Sequence, residues 1–121
     1  EDSIEILGNG NQIRHYTYGE DLAEGIGLLL EHPKAKNEDF NLSTSQSTTV
    51  LELAEIIWKK IRPDQEFKYT STDSFEYDVQ KRIPSTEKAK TLLNYEAETT
   101  LDEMLDIVIP WIKDAKEKKL F

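Results

Sequence analysis

Apolar and polar residues alternate through Ser3-Ile4-Glu5-Ile6-Leu7, which predicts a short strand. Gly8-Asn9-Gly10-Asn11 follows as a turn that tolerates positive φ. Gln12–Tyr18 predicts a second extended run, with Ile13, His15, Tyr16 and Tyr18 as its bulky positions. The chain then enters a helix through Gly19-Glu20-Asp21, where Asp21 suits a cap or a first-turn carboxylate. Leu22, Ile26, Leu29 and Leu30 mark its apolar face, and His32-Pro33 ends it. Gly25 and Gly27 weaken this helix by roughly 1 kcal/mol each relative to alanine, so close packing against a sheet is their expected use.

Phe40–Ser43 predicts a further short strand. Thr49-x-x-Glu52 reads as a capping box, and Val50, Leu53, Ala54, Ile57 and Ile61 share one face behind it, with Trp58 on the flank. Glu66–Thr70 alternates and predicts the last strand. Ser71–Pro84 has no clean period and carries Tyr77, Asp78, Lys81 and Arg82; its charges either pair locally on a surface loop or serve a function. Ser85 or Thr86 is expected to cap a short helix that stops near Leu93-Asn94. Thr100-x-x-Glu103 is a second capping box, opening a helix with Leu101, Met104, Leu105, Val108, Ile112 and Ala115 on one stripe. Pro110 should kink or divide that helix. The sum is an α/β chain, α+β when isolated, with few short strands and about four helices.

A length of 121 residues suffices for one domain. The chain starts at Glu1 and has a single methionine, Met104, so a processed or excised piece is expected. No apolar run approaches the roughly 20 residues needed to cross a bilayer, and no leader pattern is visible. The chain has no cysteine, which excludes thiolate chemistry and suits a cytoplasmic location. The formal net charge of −9 argues against nonspecific binding to nucleic acid or to an anionic membrane. An acidic domain that takes an anion must therefore use a few placed cations.

Arg14, beside a glycine turn and a helix start, is such a candidate, because its forked donors suit phosphate and glycine lets backbone N–H groups approach closely. The competing reading is a turn, a strand and a capped helix with Arg14 on the surface. His15 stands among tyrosines without a spaced carboxylate or cysteine, so it reads as a packing or solvated residue. No histidine–carboxylate cluster has metal-ligand spacing, and no nucleophile stands out.

Five segments, in order, resemble extended short-chain dehydrogenase/reductases, the NAD-dependent nucleotide-sugar epimerases, dehydratases and decarboxylases. Residues 8–26 are similar to "GdGxQxRxfxyVxDla", and Phe40-Asn41-Leu42-Ser43 to "yNls". Thr49–Ala54 resembles the helix after it, Asp78–Leu93 resembles "DvxxRxPdxxKAkxlLG", and Thr100–Glu103 resembles the start of the last helix. The resemblance implies that residues 1–121 are the C-terminal, nucleotide-sugar-binding part of a Rossmann-type enzyme. Arg14 and Arg82 would approach the pyrophosphate of a UDP- or TDP-sugar, and the strand Ile4, Glu5, Ile6, Leu7 would lie along the base. In the decarboxylase branch the second arginine is also considered part of the reaction.

The family's GxxGxxG loop and catalytic Tyr-x-x-x-Lys are both expected to be missing from this stretch and to lie in an absent N-terminal Rossmann domain. NAD then belongs to the full-length parent, and this stretch alone is expected neither to hold it nor to turn over substrate. Gly19, Asn9 and Asn94-Tyr95 depart from the family pattern and leave the sugar and the branch open. Cut from its partner domain, the piece is expected to self-associate. The rival reading is a stand-alone acidic module whose apolar helix faces bind another protein.

Overall fold

The computed structural model describes residues 3–120. Its elements are β1 (Ile4–Leu7), β2 (Ile13–Arg14), α1 (Gly19–Glu31), a 3-10 turn (Pro33–Ala35), β3 (Thr48–Thr49), α2 (Val50–Ile61), β4 (Tyr69–Thr72), α3 (Glu87–Leu93) and α4 (Leu101–Glu117). The chain divides into two compact units, one from Glu1–Tyr16 and Ser45–Ser85, the other from Thr17–Thr44 and Thr86–Phe121.

In the first unit β1 pairs in parallel with β4, Ile4 opposite Tyr69 and Leu7 opposite Thr72. The alternation buries Ile6 and leaves Glu5 and Leu7 outward. β2 pairs antiparallel with β3, and Ile13 also bridges Lys81 in parallel. The expected run Gln12–Tyr18 is therefore regular strand only over Ile13–Arg14. Gly8 and Gly10 adopt φ of +70° and +74°, and a Cβ on Gly10 would stand 3.0 Å from Leu51 Cβ. The turn thus lies against the first turn of α2. There the carbonyls of Gly10 and Gln12 accept from Leu51 N (2.9 Å) and Val50 N (3.1 Å), donors that a helix start leaves unpaired. Thr49 and Glu52 complete the expected capping box.

Further readings in this unit shift. The last strand begins at Tyr69, because Phe67 turns to Trp58 at 5.9 Å between centroids and stacks on Tyr69 at 5.5 Å. On α2 the buried residue is Trp58, expected on the flank, whose indole Nε1 donates to Gln65 O at 3.1 Å. Ile61, expected on the apolar face, is exposed.

The second unit is helical, with Ala35, Ala89, Leu93 and Tyr95 buried together and Leu29, Phe40 and Leu42 packed on them. Phe40–Ser43 forms no strand. Thr17 Oγ1 takes the donor of Thr44 N at 3.0 Å, so a side chain does what a neighbouring strand would. Gly25 packs against Tyr95 and Leu42, a ring and a loop instead of a sheet, and Gly27 faces open space. Asp21 lies in the first turn of α1 and does not cap it. Its carboxylate accepts from Thr99 N (3.0 Å) and Thr99 Oγ1 (2.9 Å), and its backbone oxygen accepts from Tyr95 OH at 2.6 Å.

Asn94, left-handed at φ 53°, ends α3 as the sequence implies, whereas Thr86 precedes that helix without a side-chain cap. Thr100 and Glu103 form the second capping box, and α4 runs undivided through Pro110. Its buried residues are Leu101, Leu105 and Ala115; Ile112, read as part of the stripe, is exposed.

Candidate functional site

The chemistry of the first unit collects where β1, α2 and the stretch after β4 meet. Ile4, Glu5, Ile6 and Leu7 line one wall of a cavity of about 450 Å³. Val50, Leu53, Ala54 and Ile57 of α2 line another, and Gln12, Arg14, Phe75 and Asp78 complete the lining. The α2 stripe that periodicity assigns to a core therefore borders a cavity. The period reports an apolar face and not what covers it.

A second cavity of about 470 Å³ is lined by Arg14, Arg82, Phe75, Tyr77, Asp78, Glu76 and Val79. Arg14, Phe75 and Asp78 are common to both. The backbone explains why the two arginines line one cavity. Ile13 N donates to Gln80 O at 2.8 Å, and Arg82 N donates to Ile13 O at 3.1 Å. Arg14 follows Ile13 and Arg82 follows its bridge partner Lys81, so both side chains start from one patch of paired backbone.

Their electrostatic situations differ. Arg14 is mostly buried and pairs with Asp78, Nη2 to Oδ1 at 3.2 Å, while its Nη1 donates to Ile13 O at 2.9 Å. Among the described residues Arg82 makes no ion pair, and it is exposed. Asp78 is also held by Gln12, whose Nε2 donates to Asp78 Oδ2 (2.8 Å) and Leu7 O (3.0 Å). Burial pushes the Tyr16 phenol above its usual range, and the Arg14 charge opposes that shift.

All six residues singled out in the sequence, Arg14, Arg82, Ile4, Glu5, Ile6 and Leu7, line one or other cavity. Gln12, Phe75 and Asp78 were not singled out as site residues. Gln12 and Asp78 stand in the quoted motifs, but their partners lie more than sixty positions away along the chain. Two N–H groups of the glycine turn are engaged within the fold. Gly8 N donates to Thr72 O (2.8 Å), Asn11 N donates to Asn9 Oδ1 (2.9 Å), and the carbonyls of Gly10 and Gln12 face α2. His15 Nε2 lies 2.8 Å from Ser47 Oγ at an exposed position. Among the described residues no group of three or more histidine, cysteine, aspartate or glutamate side chains could hold a metal, and no helix is long and apolar enough to cross a membrane.

The family model described as GDP-mannose 4,6 dehydratase matches residues 1–108. The chain belongs to this nucleotide-sugar epimerase/dehydratase family of extended short-chain dehydrogenase/reductases.

Among its relatives is UDP-glucuronic acid decarboxylase 1 of Arabidopsis thaliana, 38% identical over 102 residues, which are 83% of this chain and 22% of the relative. The UDP-glucose 4-epimerase of Thermotoga maritima, solved with UDP-glucose, superposes with a TM-score of 0.79 at 31% identity, covering 93% of this chain and 35% of that one. The UDP-glucuronic acid 4-epimerase of Bacillus cereus, solved with UDP-glucuronic acid and NAD, gives 0.81 at 25% identity, covering 93% and 35%. The chain thus spans between about a fifth and a third of the length of these relatives. Its mixed α/β architecture is that of the Rossmann-type epimerases.

The Gly8–Gly10 turn is engaged with α2 and β4. Tyr77 and Lys81 do stand four apart, the spacing of the family's catalytic pair, which was expected to lie outside this stretch. That spacing aligns two side chains on a helix, whereas Tyr77 occupies a turn and Lys81 a β-bridge.

Proposed function

We propose that this chain is the C-terminal, nucleotide-sugar-binding part of an NAD-dependent epimerase, dehydratase or decarboxylase, and that it takes the nucleoside diphosphate of a UDP- or TDP-sugar. The carrying observation is that two arginines distant in sequence line one cavity, and that Arg14 continues into the apolar cavity beside β1. An apolar slot takes a nucleobase along Ile4–Leu7, and the guanidinium groups beyond it take the diphosphate.

Arg82, exposed and without an ion pair among the described residues, supplies a full positive charge. Arg14, neutralised by Asp78, supplies oriented donors. These residues bind and orient. The dinucleotide and the acid/base chemistry belong to a separate N-terminal Rossmann domain, and the chain alone is inactive.

Calorimetric titration of the intact polypeptide with UDP, TDP and GDP tests the assignment. Each of Arg14→Ala and Arg82→Ala should weaken UDP or TDP by about 10- to 100-fold, from the 1.5–3 kcal/mol of a hydrogen bond to a charged group. Equal affinities in wild type and double variant defeat it.

A second reading, an acidic protein-interaction module, draws on the exposed Leu30 and Trp111. A nucleotide-blind polypeptide that still captures a protein through those side chains favours it.

A further inference from the structure

We propose that Gln12 and Asp78 are positioning residues that fix the Arg14 guanidinium where the two cavities join. This deepens the diphosphate reading above and takes its ligand from it.

Gln12 is polar yet only 4% exposed. The two acceptors of its Nε2, Leu7 O and Asp78 Oδ2, set the amide's orientation, because the reverse would press Oε1 against a carbonyl and a carboxylate. The chosen orientation leaves Oε1 buried with no partner among the described residues, which is unfavourable. The fold therefore tolerates an orphaned acceptor to keep Nε2 on Asp78. The carboxylate has both oxygens engaged, Oδ2 by Gln12 and Oδ1 by Arg14. The guanidinium in turn has both terminal nitrogens tethered, to Asp78 and to Ile13 O. The series starts at the last residue of β1, in the wall of the apolar cavity, and ends at the cation lining both cavities.

Coulomb's law alone makes Asp78 a liability for an anionic ligand, since it cancels the charge of Arg14. Removing it should then tighten UDP. A preorganising role has the opposite sign, because a freed guanidinium must be ordered again at each binding event.

The test uses the full chain, with UDP as probe and the heteronuclear NOE of the Arg14 Nε–Hε group as a ligand-free readout. Arg14 should be rigid in wild type and mobile in both Gln12→Leu and Asp78→Asn. Both variants should raise the UDP Kd about tenfold. Tighter UDP binding by Asp78→Asn, or an Arg14 equally rigid in the variants, overturns the proposal. Release of Arg14 in the variants of a chain that binds no UDP upholds the positioning role and refutes the diphosphate reading. If Gln12→Leu does not fold, Asp78→Asn, which preserves side-chain size, decides alone.

Discussion

Gly25 and Gly27 lie in the same helix two residues apart, and the structure gives the same substitution opposite consequences. A Cβ on Gly25 would stand 2.9 Å from Tyr95 Cζ, 3.0 Å from its Cε2 and 3.1 Å from Leu42 Cδ1. Comfortable carbon–carbon contact is at about 3.5–4.0 Å. The ring cannot simply move away, because its hydroxyl donates to Asp21 O at 2.6 Å and Tyr95 is buried. Around Gly27 a Cβ would meet nothing within 4 Å. Alanine stabilises a helix interior by about 1 kcal/mol relative to glycine at either site. Overpacking costs about 1–3 kcal/mol and applies only at Gly25.

The helix contribution cancels in the comparison, so Gly27→Ala should exceed Gly25→Ala in stability by about 1–3 kcal/mol. Gly27→Ala should also exceed wild type by up to about 1 kcal/mol. Urea unfolding followed by Trp fluorescence and far-UV circular dichroism reads both differences, and unchanged slopes show that the surface exposed on unfolding is the same in each variant. Tyr95→Phe, which frees the ring, should lessen the Gly25→Ala penalty in a double-mutant cycle. Equal midpoint shifts for the two alanines refute the packing argument.

Tyr95→Phe by itself should cost about 1 kcal/mol in the same assay, the typical net worth of one hydrogen bond. Thr49→Ala and Thr100→Ala should each cost about 1 kcal/mol, because each removes the oxygen that accepts the backbone N–H of Glu52 or Glu103. Those two glutamates are held below the usual carboxylate range, first by the backbone N–H of Thr49 and Thr100 and then by the threonine hydroxyls. Their stabilisation is therefore complete above the ordinary value of 4.5 and is lost as the pH falls through the lower, folded-state values. Acid titration of stability should show this loss, and Glu52→Gln with Glu103→Gln should flatten it. Leu30 and Trp111 are 83% and 61% exposed, so light scattering should show concentration-dependent association that Leu30→Glu with Trp111→Glu reduces.

What could be read from the sequence follows the range of the interaction. Both capping boxes, the Gly8–Gly10 turn and the Asn94 stop are fixed within a few residues, and the structure has them where the sequence puts them. The strand at Phe40–Ser43 fails because β propensity does not supply a neighbouring strand, and Thr17 supplies a hydroxyl there. Trp58 and Ile61 exchange places because burial depends on Phe67 and Arg62, which helical periodicity does not see. That Arg14 and Arg82 line one cavity has no local signal, since nothing nearby in sequence predicts a bridge between Ile13 and Lys81. Gln12 and Asp78 carry no local signal, because an amide and a carboxylate on loops look solvated until their distant partners are known.

Each unit is assembled from two separate stretches of chain, and the chain passes from one unit to the other three times. Neither can be excised as one continuous segment. During synthesis, β1 leaves the ribosome long before Tyr69–Thr72 can zip alongside it, and Asp21 waits for Thr99. Both halves of the structure should thus mature late and almost together, with exposed apolar nascent chain needing protection until then.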